Sequence, residues 1–333
     1  MAPGGKYSSI ISPEEQQLLD RLDRQRILVR RKPMLWILSS ALFVSVMVVT
    51  GSIIENKKYE NDAWPYVVML VFTLFFFGCI AWLTFKFPER GEISKQYKRF
   101  VLQSFAPKIL PGWVFSRSHK LKNEDIRKSG LFKDKANRMA REDYLFGPAG
   151  KVVAEVYQIT LQVEPSSNKE QNGGVILKKE TPTTFFFGFF YRVHCPLIFL
   201  CDVWVFPKHR KLSGEVDDWA EVTEEKYSGD DVRKPVMTSD AAFDERFSVY
   251  SNYPPEALNI LNHRRRENLL TIDRMFSTSC AFSFTGNKVF IMIGFEKDPL
   301  DIDLRKTIGE DLFAGQADEL LRMKEVALLA SAL

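Results

Sequence analysis

The residues with the most chemical potential lie close together in one stretch, His194-Cys195 and Cys201-Asp202. A thiol, an imidazole and a carboxylate are the groups that hydrolases and thiol-dependent transferases use as nucleophile, base and orienting group. Neighbours in a strand point to opposite faces, so adjacency alone does not bring His194 and Cys195 together. We therefore treat His194, Cys195 and Asp202 as weak catalytic candidates, with buried structural thiols as the favoured interpretation.

Metal and cofactor motifs do not occur in the sequence. The four histidines and four cysteines show no CxxC, HExxH or other ligand spacing. The sequence also has no P-loop, no GxGxxG after a predicted strand and no GxSxG. The segment Phe146 to Gly150 carries two glycines and is interpreted as a turn. We expect no metal and no cofactor.

Two groups of arginines are candidates for binding anionic lipid headgroups or phosphates. The candidates are Arg24, Arg26, Arg30, Arg31, Arg264, Arg265 and Arg266. Each basic residue near an anionic membrane adds about 1 kcal/mol of attraction, but runs of charge are also typical of ordinary solvated helix faces. The formal net charge of +4 is too small to indicate a nucleic-acid partner.

Two uncharged apolar runs, Met34–Ile54 and Trp64–Phe85, predict a transmembrane hairpin. Each is long enough to cross a hydrocarbon core, which takes about 20 apolar residues as a helix. Tryptophans near the ends of the runs, such as Trp36 and Trp82, are typical of the headgroup zone. We therefore expect two spans, at residues 34–54 and 64–85, in a multi-pass membrane protein.

The distribution of positive charge predicts the orientation of this hairpin. Arginines and a lysine precede the first span, and further lysines and arginines follow the second, whereas the loop Glu55–Ala63 has only two lysines among three acidic residues. Positive charge favours the cytoplasmic side, so we expect both termini in the cytoplasm, in the inner membrane if the chain is bacterial. The long polar segment before the first run does not have the pattern of a cleaved signal peptide, and the anchor should persist.

The remaining sequence predicts a cytoplasmic domain of the α+β class. Residues 1–33 form a basic amphipathic segment whose helix begins at the capping box Ser12-Pro13-Glu14-Glu15. Residues 91–308 combine helical and strand patterns, and we expect a mainly antiparallel sheet with flanking helices. Residues 309–333 read as a C-terminal amphipathic helix, with Leu320, Leu321 and Leu328 among its apolar residues. This helix packs on its own sheet or docks on a partner.

The elements of the 91–308 domain follow from periodicity and turn signals. Helices are expected over Ser94–Ala106, stopped by Pro107, from Asn123 to near Gly130, and over Ala257–Met275. Strands are expected over Lys151–Val163, Gly174–Lys179, Phe185–Val193 and Leu197–Phe206, and as a hairpin of Phe282–Phe284 with Val289–Ile293. The segment Gly214–Asp231 is acidic and reads as a solvated loop.

Several sequence stretches resemble an uncharacterised bacterial family, domain of unknown function 3137. They are Lys128–Phe132, Arg141–Gly147, the aromatic motif Phe187-Gly188-Phe189-Phe190, the segment Phe243–Ser251, Pro255-Glu256-Ala257 and the hairpin Phe284–Ile291. Together they cover most of Ser94–Leu304. The resemblance implies a membrane hairpin with a cytoplasmic domain, and it implies no activity or cofactor. The sequence departs from the family pattern at Val193-His194-Cys195, where an Asp-Phe-Asn-like stretch is expected.

These observations favour a membrane-anchored binding or scaffolding protein, whose partners are the bilayer and another protein. One alternative is a membrane-tethered enzyme that uses His194, Cys195 or Asp202. A second alternative is a module that senses anionic lipids through the arginines ahead of the first span.

Overall fold

A computed structural model of the chain describes residues 10–55, 90–116, 121–132, 138–163, 183–208, 233–276 and 278–332, together with Tyr7 and isolated positions between 67 and 78. The chain forms two compact units. The first comprises Met1–Val101 and Leu300–Gly315, and the second comprises Leu102–Pro299 and Gln316–Leu333. Residues 91–101 and 300–308, the two ends of the expected 91–308 domain, belong to the first unit.

The first unit is built on one long helix, α1, over Pro13–Glu55. Its capping box is confirmed, since Ser12 N–H donates to Glu15 Oε2 at 2.7 Å and Glu15 N–H donates to Ser12 Oγ at 3.3 Å. Pro33 lies inside the helix without ending it. The expected juxtamembrane helix and the first apolar run are therefore two halves of the same helix.

The two halves of α1 have different surroundings. Leu19, Leu22 and Val29 of the N-terminal half are buried, and Asp23 Oδ1 accepts a hydrogen bond of 3.0 Å from the N–H of Ile308. The half from Met34 onwards exposes large aliphatic side chains. Among the described residues, α1 is the one helix that is long and apolar enough to cross a bilayer, with a mean hydropathy of 1.8 in its best window.

The second apolar run, 64–85, lies mostly outside the described residues. The positions described there are helical and expose large apolar side chains, including Leu70 and Leu74. The ring of Phe76 stacks on that of Phe43 in α1, with centroids 4.2 Å apart. The described residues thus contain one long apolar helix, α1, and the two-span arrangement stays a prediction.

A helix follows at the expected place. Helix α2 runs over Arg90–Phe100, a π-helical turn over Val101–Phe105, and a short helix α3 over Ala106–Ile109. Pro107 does not stop this run as expected. It stands at the start of α3, where a missing backbone N–H costs nothing.

The second unit contains an antiparallel sheet of nine strands in the described part of the chain. The strands are β1 Val114–Ser116, β2 Arg138–Ala149, β3 Val152–Val163, β4 Thr183–His194, β5 Val203–Pro207, β6 Lys234–Val236, β7 Phe247–Ser251, β8 Cys280–Thr285 and β9 Lys288–Gly294. Their order across the sheet is β1-β2-β3-β4-β9-β8-β5-β7-β6. The α+β class and the antiparallel sheet are confirmed. The predicted strand 174–179 and the acidic loop 214–231 lie outside the described residues.

Helices accompany the sheet on both faces. They are α4 Asn123–Ser129, α5 Ala241–Arg246, α6 Pro254–Ile260, α7 His263–Met275 and α8 Glu310–Ser331. Helix α4 ends at Gly130, as expected, in a left-handed conformation with φ of 64°. The single helix predicted over Ala257–Met275 is wrong. Helix α6 ends at Ile260 and α7 begins at His263. Asn262 Oδ1 caps α7 by accepting a 3.0 Å hydrogen bond from the N–H of Arg265.

The side chains of β4 alternate between two buried faces of the sheet. Phe186 and Phe190 belong to a core that also contains Ile126 of α4, and we call this side the α4 face. Phe189 lies on the opposite side, where its ring contacts that of Phe295 at 5.0 Å. Phe295 in turn contacts Phe276 at the end of α7, so we call this side the α7 face.

Two strand predictions are corrected by the structure. Strand β2 was not expected, and residues 146–149, which read as a turn, are its last residues. Gly147 is required there because a Cβ would overlap the ring of Trp113. The buried strand predicted over Leu197–Phe206 begins only at Val203. Residues 197–200 form a loop instead, in which Phe199 is buried and the other three side chains are exposed, and the N–H of Phe199 donates to the carbonyl of Gly286 in a neighbouring turn.

Two adjacent leucines test whether α8 belongs to the core of the second unit. The side chain of Leu320 is fully buried and that of Leu321 is 43% exposed. We expect Leu320→Ala to lower the free energy of unfolding by about 2–5 kcal/mol, because it leaves a cavity. Leu321→Ala should cost less than about 1 kcal/mol. Denaturation of the full-length protein in detergent, followed by circular dichroism, measures both. Equal losses would contradict this placement of α8.

Candidate functional site

Several connections of the sheet gather at one end of its central strands. Val193 at the end of β4 pairs with Val289, which in turn pairs with Phe284. Val203 at the start of β5 pairs with both Phe284 and Ser251. The segments 194–202, 252–253 and 286–287 therefore lie side by side, and we call this region the loop end of the sheet. It contains all three catalytic candidates.

The loop between β4 and β5 is fixed to the neighbouring hairpin. The N–H of Cys195 donates to the carbonyl of Asn287 at 2.8 Å, and the N–H of Phe199 donates to the carbonyl of Gly286 at 2.6 Å. The ring of Phe199 is buried and meets the edge of Phe284 at a centroid distance of 5.5 Å. Backbone and side chain together hold the loop in one conformation.

This fixed loop presents aliphatic side chains to solvent. Leu197 is 61% exposed, Ile198 74% and Leu200 82%. Single exposed apolar residues are common on proteins, but a contiguous apolar group usually marks a contact surface. The sequence suggested a buried strand here, so this surface was missed. The Pro196 that opens the segment was the available signal, because proline disfavours a central strand.

The three catalytic candidates have different surroundings. The imidazole Nε2 of His194 lies 3.8 Å from Glu155 Oε2. Cys195 is buried, and burial raises the pKa of its thiol while the charge of Arg265 opposes the rise. The carbonyl of Asp202 accepts a 2.7 Å hydrogen bond from the hydroxyl of Ser251. The raised pKa disfavours a thiolate at Cys195, so this arrangement gives no support to thiol chemistry.

A metal site has no support in the described segments either. None of them brings together three or more His, Cys, Asp or Glu side chains in a group that could hold an ion.

The three arginines of α7 have different surroundings. Arg266 pairs with Asp240 at 3.0 Å. Arg265 donates to the carbonyl of Ile260 at 2.7 Å, and its guanidinium lies 5.7 Å from the ring centroid of Phe199. Only Arg264 of the three is fully on the surface. Arg265 and Arg266 thus make contacts within the protein, and an anion-binding role for the three arginines stays a prediction.

The arginines of α1 are divided in the same way. Arg24, Arg30 and Arg31 are exposed. Arg26 is buried, and it donates to Asp23 Oδ1 at 2.8 Å and to the carbonyl of Leu304 at 3.5 Å. Arg26 therefore stabilises the first unit from inside and does not face lipid headgroups. The other three remain predicted contacts.

The α4 face contains an ionic network that the sequence did not suggest. Arg192 of β4 bonds through Nε to Glu155 Oε2, through Nη1 to Asp125 at 3.1 Å, and through Nη2 to the hydroxyl of Tyr157 at 2.9 Å. The hydroxyl of Tyr144 donates to Glu155 Oε1 at 3.0 Å. Arg192 and Glu155 are both buried. Two buried charges thus satisfy each other and fix α4 to the sheet.

The pKa values in this network follow from burial and from the ion pairs. Burial alone raises the pKa of Glu155, but the hydrogen bond and charge of Arg192 outweigh it, and the pKa is lowered overall. Burial raises the pKa of Tyr144 to about 12, helped by the charge of Glu155. Burial raises the pKa of Tyr157 as well. Glu155 is therefore charged at neutral pH and both tyrosine hydroxyls are neutral, with Tyr144 donating to Glu155 and Tyr157 accepting from Arg192.

One signal for the network was present in the sequence. Glu155 is the single Asp, Glu, Lys or Arg residue of β3 and Arg192 that of β4, and such residues are usually paired when buried. Pairing them requires the register in which Glu155 lies opposite Arg192. A single sequence does not give that register.

Part of the chain matches a known protein family. Residues 184–327 match the family described as Protein of unknown function (DUF3137). This DUF3137 segment covers less than half of the chain. It contains the aromatic motif, the Phe243–Ser251 motif and the β8–β9 hairpin that carry the resemblance in the sequence, while the stretches at 128–132 and 141–147 precede it. No curated protein and no solved structure matches the chain.

The DUF3137 segment contains the whole loop end of the sheet and the strands from β4 to β9. Gly188 of its aromatic motif is required where β4 passes β9, because a Cβ there would overlap the carbonyl oxygen of Ile293. The segment also supplies Arg192 and His194 to the ionic network. Glu155 and Asp125 come from outside it, so the network joins the DUF3137 segment to the strands before it.

Glu155→Gln tests the network. Its folded pKa lies below the ordinary value of about 4.3, so its stabilisation is complete above that value and is lost as pH falls through the lowered folded pKa. Removing one partner of a buried pair should cost about 3 kcal/mol at pH 7. Thermal melting in detergent should give the variant a lower melting temperature than the wild type at pH 7. Below pH about 5, the melting temperature of the variant should fall less steeply with pH than that of the wild type.

Lys128→Ala is the matched control for this experiment. Lys128 pairs with Glu124 at 2.8 Å on the exposed side of α4, and an exposed pair contributes little. Its melting curve should follow that of the wild type at every pH. If the melting temperature of Glu155→Gln fell as steeply in acid as that of the wild type, the assigned role of Glu155 would be wrong.

Proposed function

We propose that the chain is a two-span integral membrane protein with both termini in the cytoplasm, and that its α+β unit is a binding module for a protein partner. The observation that carries the membrane part is the exposure of the apolar half of α1. Met34, Ile37 and Val48 are largely exposed to solvent, and a helix with such a surface is stable in a bilayer and not in water.

The stack of Phe76 on Phe43 supports the second span. It places a residue of the 64–85 run against α1 within the first unit. Exposed aliphatic side chains at Val67, Leu70 and Leu74 give this run the same lipid-facing character. The connecting loop Glu55–Ala63 has nine residues, which suits an antiparallel pair of helices, and the positive flanks favour the cytoplasm for both outer ends.

The binding role is supported by the way the second unit uses its surface. Its buried ionic groups are paired with each other, and the thiol of Cys195 is held in its neutral form, so these groups serve folding. Helix α8 has an exposed strip of Asp318, Leu321, Glu325 and Leu328, two acidic and two aliphatic residues in alternation. Such a strip suits a partner surface that is apolar and basic.

Cysteine labelling in intact cells tests the topology. Glu14→Cys, Asn61→Cys and Asp318→Cys are each treated with a membrane-impermeant maleimide before and after permeabilisation. With two spans, Asn61→Cys reacts in intact cells, and the other two react only after permeabilisation. The parent protein, with its four native cysteines, gives the background.

Both other topologies give distinct patterns. A single span through α1 puts Glu14→Cys and Asp318→Cys on opposite sides of the membrane. Cleavage of α1 as a signal removes the Glu14→Cys label from the mature protein altogether. Either pattern would overturn the two-span proposal.

Photocrosslinking tests the binding module. Removing residues 310–333 would expose the core under α8, so a point probe is needed in place of a truncation. With p-benzoylphenylalanine at Leu321 or Leu328 in intact membranes, we expect one discrete adduct that is lost in Glu325→Lys, because the reversed charge repels a basic partner. The probe at Met237, which is exposed elsewhere, should give none. Equal adducts at all three positions would contradict a specific partner.

A further inference from the structure

The three exposed aliphatic side chains of the loop end are held outward by its structure. Phe199 is the one side chain of the segment Leu197–Leu200 that enters the core, and the hydrogen bonds from Cys195 and Phe199 to the β8–β9 turn fix the backbone on either side. With Phe199 buried and its N–H bonded to this turn, Leu197, Ile198 and Leu200 lie on the exposed side of the loop. A fixed loop that exposes three large aliphatic residues in four positions has a binding surface built into it.

Two further exposed apolar side chains lie at the same end of the sheet, outside this loop. Val153 and Tyr253 are both exposed. Ala154, next to Val153, pairs with Val193, and Tyr253 follows the strand whose Ser251 pairs with Val203. Both residues are thus at the same end of the sheet as the loop. Tyrosine beside aliphatic residues is typical of the boundary between headgroups and acyl chains.

Basic side chains surround the same end. Lys288 pairs in register with His194, and Lys151 lies in the β2–β3 turn. Arg264 is exposed on the first turn of α7, next to the Arg265 that contacts Phe199. Acidic residues lie at this end as well. Asp202 and Glu256 are near Cys201 at the base of the loop, and Glu155 lies 3.8 Å from His194 but is paired with Arg192. The aliphatic tip thus has a mainly basic rim, which suits an anionic surface.

The composition of the tip favours a bilayer over a protein. Protein interfaces draw most of their affinity from Trp, Tyr and Arg in complementary pockets, and leucine is under-represented among such residues. A tip of two leucines and an isoleucine needs no shaped pocket when it enters acyl chains, and it is too small to form a stable protein interface alone.

We propose that the loop Pro196–Leu200 inserts Leu197, Ile198 and Leu200 into the headgroup boundary of an anionic bilayer, with Lys288, Lys151 and Arg264 contacting lipid phosphates. The inference rests on the proposed membrane anchor. A loop of this size binds membranes weakly by itself, but a covalent anchor gives it a high effective concentration at the bilayer.

Fluorescence quenching in nanodiscs tests the insertion with the full-length protein. An environment-sensitive dye is attached at Ile198→Cys or, as the control, at Met237→Cys. Both parent side chains are 74% exposed. The discs contain phosphatidylcholine with phosphatidylglycerol and a shallow spin-labelled lipid. Co-elution of protein with discs reports the anchor separately, so a failure of the membrane proposal is distinguished from a failure of insertion.

The expected result is quenching at position 198 and none at 237. Leu200→Asp should lower the equilibrium constant for insertion by about tenfold or more, because it replaces an aliphatic side chain that enters the bilayer by a charge. Lys288→Glu should weaken quenching in anionic discs and leave it unchanged in discs of phosphatidylcholine alone. Both variants alter exposed or half-exposed positions, and unchanged melting curves verify that they fold.

Three results would overturn the proposal. Protein that co-elutes with discs but shows no quenching at 198 has a loop that does not insert. Equal quenching at 198 and 237 means that the unit lies on the bilayer without a specific contact. If the emission of the dye at position 198 shifts to the blue only when native membrane proteins are added, and not in lipid discs alone, the loop binds a protein partner.

Discussion

The burial of β4 on both faces is the constraint on which the second unit depends. This strand lies between β3 and β9, and its side chains reach the α4 face and the α7 face in turn. Gly188 allows the close passage of β9, and Arg192 is acceptable in such a strand only because Glu155 and Asp125 meet it. A strand with two buried faces has no tolerance for a shift in register, since a slip of one residue would exchange the two sets of side chains.

The same register determines where the chain leaves the sheet. Because Val193 is aligned with Val289, the end of β4 lies beside the β8–β9 turn, and the turn supplies the carbonyl groups that hold the next loop. The position of the aliphatic tip is therefore a consequence of core packing. An exposed surface set by a rigid sheet loses little conformational entropy when it binds, which is the advantage of a preorganised site.

The sequence predicted those features that depend on neighbours in the chain. The cap at Ser12, the end of α4 at Gly130 and the β8–β9 hairpin were all found from local signals. Prediction from the sequence failed where contacts between residues far apart in the chain decide the structure. Strand β2 contains charged residues, a glycine and a proline, so its sequence has no alternating pattern that predicts a strand. The Glu155–Arg192 pair depends on the register between β3 and β4, which are far apart in the sequence. The segment Leu197–Leu200 is as apolar as a core strand, and only the fold shows that three of its side chains point outward.

The continuity of α1 through Pro33 has a mechanical consequence. A helix of 43 residues is about 65 Å long, and it runs from the segment that bonds to Ile308 to the half that exposes its aliphatic side chains. Proline has no N–H to donate to the carbonyl four residues earlier, so the rod has one weakened turn, at the junction of its two halves. Bending would concentrate at this joint, whereas axial rotation or displacement would pass along the whole rod. With the apolar half of α1 in a bilayer, as proposed above, a change in bilayer thickness or lateral pressure would reach the buried contacts of Asp23 and Arg26 as torque, and α1 would act as a lever as well as an anchor.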